Sequence, residues 1–173
     1  MGKIFAVLIV GCLVLAVAQC GSGMGKPASQ SLSPEQQQLA AQMKDVTKKY
    51  LVEKLGGTGF GGKAFCAYKV LDIEQTGADV NEYVYAVCQE YYDKNGVLTK
   101  GTGSGLPVAL LLHKQADGYQ VVSHRVPGDG SRYSRDVEQI FPKRTHAEIF
   151  AAGSDYTSWK EEVESEARKF FGK

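Results

Sequence analysis

The sequence carries almost no net charge, and this absence argues against two classes of partner. It has 20 lysines and arginines against 19 aspartates and glutamates, a formal net charge of +1. Proteins that neutralise nucleic-acid phosphates need a basic surface, and electrostatic attachment to anionic lipid needs a run of basic residues. No such run stands out in the sequence. We therefore expect no nucleic-acid partner and no polybasic membrane attachment.

Residue types that build metal and nucleophile sites are also scarce. Only three histidines and four cysteines occur, and no Cys-x₂-Cys pair gives the usual spacing of a structural zinc site. There is no Gly-x-Ser-x-Gly nucleophile elbow. The glycine-rich segment 56–62 lacks the Gly-Lys-Ser/Thr ending of a phosphate-binding loop. The sequence predicts no metal, no cofactor and no recognised catalytic residues.

The longest apolar run is too short to span a bilayer, and it lies at the N-terminus. Residues 4–18 follow Lys3 without a charged side chain and fall short of the roughly 20 residues that a transmembrane helix needs. This layout is typical of a secretory signal peptide. We expect residues 1–19 to be a signal peptide, residues 20–32 a flexible tether, and residues 33–173 a single α+β domain.

Two processing routes are open at the end of this leader. Residues 16–18 (Ala-Val-Ala) form a signal-peptidase site, which would release a soluble secreted or periplasmic protein. Residues 17–20 resemble a bacterial lipobox, in which Cys20 is acylated. Acylation of Cys20 leaves Cys66 and Cys88 as an even pair for an oxidising compartment. We therefore expect a membrane-anchored lipoprotein that faces the periplasm or the cell surface, with the soluble form as the alternative.

Local signals predict one helix, then four strands, then short helices. Ser33, Pro34 and Gln36 mark a helix start with a capping box, and Gly56-Gly57 mark its end. Asn95-Gly96 and Asp117-Gly118 are two-residue hairpin signals. The β-patterned segments are 64–74, 80–93, 97–113 and 119–126. The expected fold class is α+β, with the N-terminal helix packed on a four-stranded antiparallel meander and short C-terminal helices after it.

The C-terminal third predicts three short helical pieces. Ser134 could cap the first, which Phe141-Pro142 would end, and Thr145 with Glu148 could form a second capping box. The last helix is expected to start near residues 154–155 and to stop at Gly172. Its expected buried side chains are Tyr156, Trp159, Val163, Ala167 and Phe170, because they recur three or four residues apart.

A hairpin centred on Gly77 places Cys66 opposite Cys88. Directly opposed residues are close enough for a disulfide, which would close a loop of about 22 residues and stabilise the fold by about 3 kcal/mol. Two buried reduced thiols are the alternative. The same register pairs Leu71 with Tyr83.

The register of the next hairpin predicts where two of the histidines lie. A turn at Asp117-Gly118 pairs His113 with Val122 and Leu111 with His124, so that both histidines share one face of the sheet. Tyr83, Tyr85 and Tyr91 also share a face. Such an aromatic stripe could receive a peptide or a glycan, but it more often packs in a core.

Segment 124–136 is the densest polar stretch. The candidate binding residues in it are His124, Arg125, Asp129, Arg132 and Tyr133. His124 and Asp129, with Ser131 or Ser134, have the residue types of a hydrolytic triad. The same residue types are common in turns and helix caps. A turn leaving the sheet, a binding loop and a catalytic site therefore all remain open.

The motifs 90–92 (Glu-Tyr-Tyr), 129–130 (Asp-Gly), Tyr133 and 140–142 (Ile-Phe-Pro) carry a resemblance. The stretch that contains them looks like small exported bacterial domains of unknown function, and the order of elements resembles the cystatin-like and NTF2-like folds. The resemblance implies a helix packed on a curved antiparallel sheet, and it implies no activity.

The function expected from the sequence is that of an exported, lipid-anchored and non-enzymatic binding or accessory domain of the bacterial envelope. Its partner would be an envelope protein or a small ligand, and the lipid anchor would attach it to the membrane. The alternative is a small periplasmic hydrolase or ligand-binding enzyme that uses His124 and Asp129.

Overall fold

A computed structural model describes residues 31–152 and 157–173. The predicted signal peptide, Cys20, most of the predicted tether and Tyr156 lie outside the described residues. The elements in chain order are α1 (Pro34–Leu55), β1 (Lys63–Thr76), β2 (Asp79–Lys94), β3 (Val97–Gln115), β4 (Gly118–Arg125), a 3₁₀ turn (Gly130–Arg132), α2 (Tyr133–Ile140), α3 (Lys143–Ala152) and α4 (Thr157–Phe171). The strands form one antiparallel sheet in the order β1-β2-β3-β4. The α+β meander predicted from the sequence is confirmed.

Helix α1 begins where its capping box predicts. The Ser33 hydroxyl accepts a hydrogen bond from the Gln36 amide at 3.2 Å, and the Gln36 side chain accepts one from the Ser33 amide at 2.9 Å. These bonds satisfy two of the backbone donors that a helix start leaves open. The helix ends at Leu55, before Gly56.

The sheet is covered on both faces, because alternate residues of β2 point to opposite sides. On one face, the side chain of Val84 packs in the same cluster as Met43 of α1, and both side chains are fully buried. On the other face, Tyr85 packs with Ile149 of α3. Burial of each such side chain stabilises the fold by about 1.5–3 kcal/mol. The sheet is therefore the middle of three layers.

Tyr83, Tyr85 and Tyr91 of β2 share the second face of the sheet, as predicted. Tyr83 and Tyr85 are buried in one cluster under α2 and α3, and Tyr91 is buried against Val163 of α4. Their role in this structure is core packing, which leaves no exposed aromatic stripe on β2.

The predicted disulfide is confirmed. Cys66 and Cys88 lie opposite each other in the β1–β2 register, with their Cα atoms 4.1 Å apart and a bond between their sulfurs. The predicted pairing of Leu71 with Tyr83 is wrong. A register shift between Val70 and Asp72 places Asp72 opposite Tyr83, because a bulge adds one unpaired residue to the strand.

The predicted register of the β3–β4 hairpin is also wrong. Gln115 pairs with Gly118, so the turn lies one residue earlier than Asp117-Gly118, and a second shift occurs between Leu111 and Leu112. As a result, His124 lies opposite Leu110, which packs on the α1 side. His113 follows the α1-facing Leu112 in β3 and therefore lies on the other face.

The short helices form with different starts from those predicted. Ser134 lies inside α2, whose N-cap is Arg132. Thr145 is inside α3, and its hydroxyl donates to the Pro142 carbonyl at 2.8 Å. Phe170 was expected to be buried but is 56% exposed, because the face of α4 that packs on the sheet carries Val163, Ala167 and Phe171 instead. Among the described residues, no helix is long and apolar enough to cross a membrane.

Candidate functional site

His124, the first predicted site residue, serves to attach β4 to α1. Its Nδ1 lies 2.8 Å from the Tyr50 hydroxyl, and the two rings meet edge to face with centroids 5.6 Å apart. Asp129 precedes the 3₁₀ turn without a capping hydrogen bond from its side chain. In the part of the chain that the structure describes, no hydrogen bond joins His124 to Asp129.

The other predicted residues of segment 124–136 are spread along the chain that leaves the sheet. Arg125 ends β4 opposite Ala109, and Arg132 is exposed beside Gly128. Tyr133 packs edge to face on Phe150 of α3. The structure does not gather these side chains around one cavity.

The glycine-rich segment 56–62 binds a carboxylate of the protein itself. Glu90 is fully buried, and its carboxylate accepts hydrogen bonds from the amides of Phe60 (3.0 Å), Gly62 (2.7 Å) and Thr102 (3.0 Å). Burial alone would raise the pKa of Glu90, but these amide bonds lower it below its ordinary value. The segment is therefore a structural loop closed over Glu90.

Two further buried carboxylates, Glu82 and Asp72, were not identified from the sequence. Glu82 accepts a 2.6 Å hydrogen bond from Thr47 of α1, and its other oxygen has no hydrogen-bond partner among the described residues. Burial raises the pKa of Glu82 to about 7, despite the bond from Thr47. The one signal available in the sequence was an acidic residue beside the apolar run of β2, and this signal does not identify the partner of the carboxylate.

Asp72 of β1 joins three elements. Its carboxylate forms an ion pair with Arg144 of α3 and accepts a 3.0 Å hydrogen bond from the Gln36 side chain of α1. A polar cavity of about 310 Å³ beside it is lined in part by Ser31 and Leu32. This network fixes the start of α1 against β1 and α3.

A cavity with an apolar floor lies between α4 and the middle of the sheet. Its volume is about 480 Å³. The floor comes from Val87 and Tyr91 of β2 with Val163 of α4, and two lysines, Lys100 and Lys160, lie at the rim. We call this cavity the groove. It combines apolar surface with a few convergent polar groups, as ligand sites commonly do.

The groove exists because β3 carries glycine where it faces β2. Gly103 lies opposite Gln89, and Gly105 lies opposite Val87. A Cβ atom at position 103 would lie 2.7 Å from the Gln89 side-chain oxygen. The Gln89 side-chain nitrogen instead crosses this space and donates to the carbonyl of Gly101 at 2.9 Å. The sequence predicted a bulge at these glycines, and β3 does shift register opposite Gln89 and Tyr91.

The groove side of α4 is basic. A neighbouring cavity of about 600 Å³ shares Lys100 and Lys160 with the groove. The charged residues that line this second cavity are Lys100, Lys160, Arg168, Lys169, Lys173, Glu161 and Glu164, five cations against two carboxylates. Hydrogen bonds from Lys100 and Arg168 lower the pKa of the Glu164 carboxylate, which lies 2.9 Å from the Lys100 nitrogen. The local excess of positive charge contrasts with the near-neutral whole.

Comparison of the chain with protein-family models, with curated proteins and with solved structures finds no match. The resemblance to the cystatin-like and NTF2-like folds thus stays a prediction. Within residues 31–152 and 157–173, no group of three or more histidine, cysteine, aspartate or glutamate side chains is arranged to hold a metal ion.

Proposed function

We propose that this protein is an exported, lipid-anchored and non-enzymatic binding domain of the bacterial envelope, and that its ligand occupies the groove. The observation that carries the proposal is the groove itself, where an apolar floor meets two rim lysines beside a strand without side chains at Gly103 and Gly105.

The disulfide supports the exported location. A bond between Cys66 and Cys88 persists in oxidising compartments such as the periplasm, whereas the cytosol keeps thiols reduced. This fits the signal-peptide layout of residues 1–19 and the use of Cys20 as the lipid acceptor.

The position of the groove suits a protein that is held by its N-terminus. The described chain begins beside Asp72, which lies opposite Tyr83 in the sheet. From Tyr83 to Gln89 at the groove, β2 advances by six residues, which corresponds to about 20 Å. The groove therefore lies away from the point where the tether joins the domain, and an anchored domain can present it to a partner.

The residues that line the groove suit the binding of a ligand. Val87, Tyr91 and Val163 supply apolar contact, and Lys100 and Lys160 supply ammonium groups that can pair with an anionic group of the ligand.

The test of the binding site is photo-crosslinking in intact cells of the native host. A photoreactive amino acid replaces Gln89, whose side chain lies on the groove face of β2, or, as a control, Glu138 on the exposed side of α2. We expect a discrete adduct from position 89 and none from position 138. Failure of position 89 to give an adduct, or the same adducts from both positions, would contradict the proposal.

The anchor has a separate test. Cys20→Ala should move the protein from the membrane fraction to the soluble fraction and remove the acyl mass from its N-terminus. An unmodified N-terminus in the wild-type protein would disprove the lipid anchor without affecting the groove.

A further inference from the structure

The outer edge of β3 is bare over half its length. Strand β4 pairs only with residues 109–115 of β3, so no strand within the described parts of the chain lies beside residues 97–106. These residues include Gly101, Gly103 and Gly105 and are largely exposed. An unpaired strand edge presents a row of backbone donors and acceptors to any extended chain that meets it.

The register identifies which backbone groups point outward. The Cα atoms of Cys66 and Cys88 are 4.1 Å apart, the narrow kind of antiparallel pair in which neither residue bonds to the other. The backbone groups of Cys88 therefore point toward its other partner, Ser104 of β3. Because the direction alternates along a strand, Gly103 and Gly105 direct their N–H groups away from the backbone of β2. The Gly105 carbonyl accepts a 3.2 Å hydrogen bond from the Tyr85 hydroxyl, and a carbonyl oxygen has a second lone pair for an added strand.

The position of Pro107 supports this assignment of the outward-facing residues. The same alternation places its ring nitrogen on the outer side, where a missing N–H costs no ladder bond. The next outward residue, Ala109, is paired with Arg125 of β4. The bare edge therefore begins beyond Pro107, and Gly105 and Gly103 are its first outward-facing residues.

The opposite edge of the sheet is protected. Lys48 of α1 forms an ion pair with Glu166 of α4, and Lys69 of β1 forms one with Glu148 of α3. Because α1 and α4 lie on opposite faces, the first pair passes around the outside of β1. Charged side chains over an edge strand block further pairing. The edge at Gly103 and Gly105 has no such cover among the described residues.

The geometry points to strand addition as the binding mode: an extended acidic peptide of an exported partner pairs with β3 at Gly103 and Gly105. This inference rests on the proposed function, because it names the ligand class of the groove. Backbone hydrogen bonds supply affinity in this mode, and side-chain pockets supply specificity. Residues of the added strand that lie opposite the two glycines place their side chains over the groove.

Charge selects the chemistry of the peptide. The groove rim carries Lys100 and Lys160, and the adjoining cavity has five cations against two carboxylates. Glutamates or aspartates beside the paired segment complement this charge. A second copy of this chain would instead bring two basic surfaces together, because Lys100 is the one charged residue in segment 97–106.

The test uses residue-resolved amide hydrogen exchange of the complete folded domain by NMR. The probe is a short peptide of alternating glutamate and valine, blocked at both ends. In the free protein, the Gly103 and Gly105 amides should exchange fast and the Ser104 amide slowly, because Ser104 bonds to β2. Saturating peptide should slow both glycine amides at least about tenfold and leave Ser104 unchanged.

Two control peptides separate backbone pairing from charge. A peptide with lysine in place of glutamate should bind at least about tenfold more weakly, and so should a glutamate peptide with alternate nitrogens methylated, since each lost hydrogen bond weakens pairing. Lys160→Glu should weaken binding of the acidic peptide, whereas Lys114→Glu, at the end of β3 that β4 covers, should not.

Three results would overturn strand addition. The first is binding of the acidic peptide with unchanged exchange at Gly103 and Gly105. The second is no binding of that peptide although position 89 still gives its adduct in cells, which leaves the proposed function intact. The third is protection of both glycines by higher protein concentration alone, which would identify a second copy as the occupant. Loss of the position-89 adduct itself is the failure of the proposed function.

Discussion

Gly62 donates its amide to the buried carboxylate of Glu90 at 2.7 Å, and this bond explains the glycines of segment 56–62. A Cβ atom at position 62 would lie 2.3 Å from the Tyr91 carbonyl oxygen. Only glycine lets the loop come so close to β2 and supply its amides to the carboxylate. A segment with the glycine content of a phosphate-binding loop thus binds the carboxylate of Glu90.

Replacement of Glu90 should release this loop. In Glu90→Gln, the side chain has one oxygen in place of two, so it cannot accept the amides of Phe60, Gly62 and Thr102 together. We expect the Gly62 amide to exchange at least about tenfold faster. Glu138→Gln on the exposed side of α2 is the control. Unchanged exchange at Gly62 would show that the carboxylate does not hold the loop.

Stability should fall as pH rises from about 4.5 to 7 because of Glu82. Its pKa is about 7 in the folded protein against an ordinary 4.5, so the folded state binds the proton more tightly than the unfolded chain. The contribution is fully present below pH 4.5 and is lost as pH rises through 7, a change of about 3 kcal/mol.

Urea unfolding at several pH values tests this. Glu82→Gln stays neutral and should remove most of the fall in unfolding free energy, whereas Glu138→Gln should keep it. The same slope in the wild type and in Glu82→Gln would mean that another group is responsible.

The two glycines near the groove should differ in their tolerance of a methyl group. A Cβ at Gly101 would lie 2.5 Å from the Glu90 Oε2, which is held by the amides of Phe60 and Thr102. At Gly103, the close atom is the end of the flexible Gln89 side chain. Gly101→Ala should therefore cost about 1–3 kcal/mol and Gly103→Ala clearly less, as measured by thermal or urea unfolding. Equal costs would contradict the geometry.

The disulfide should contribute measurably to stability. It closes a loop of 22 residues, for which loop-closure entropy predicts about 3 kcal/mol. Dithiothreitol should lower the unfolding free energy of the wild-type protein by about that amount. The double variant Cys66→Ala/Cys88→Ala should be insensitive to the reductant. An equal response of both proteins would show that the bond does not form.

The framework of the fold could be predicted because its signals are local. The capping box of Ser33 and Gln36, the Asn95-Gly96 turn and the hairpin around Gly77 act within a few residues. Each specifies its own geometry by capping or by backbone preference. The cysteines face each other as predicted because two differences from the predicted hairpin cancel. The turn pairs Thr76 with Asp79, so it is not centred on Gly77, and the bulge between Val70 and Asp72 restores the register that places Cys66 opposite Cys88.

The candidate site could not be predicted, because it depends on tertiary arrangement. The shift between Leu111 and Leu112 moved His124 to the α1 face, and nothing local to β4 signals it. The sequence pointed to the polar segment 124–136, whereas the groove depends on how far β4 extends beside β3. Gly103 and Gly105 become an open edge only because β4 stops opposite Ala109.

Charge reversal at the groove in living cells is the most direct test of the central claim. With the photoreactive residue at position 89, Lys160→Glu should reduce the adduct at least about tenfold, and Lys114→Glu, at the end of β3 that lies away from the groove, should leave its yield unchanged. Equal yields from the two variants would contradict a ligand held beside the lysines of the groove.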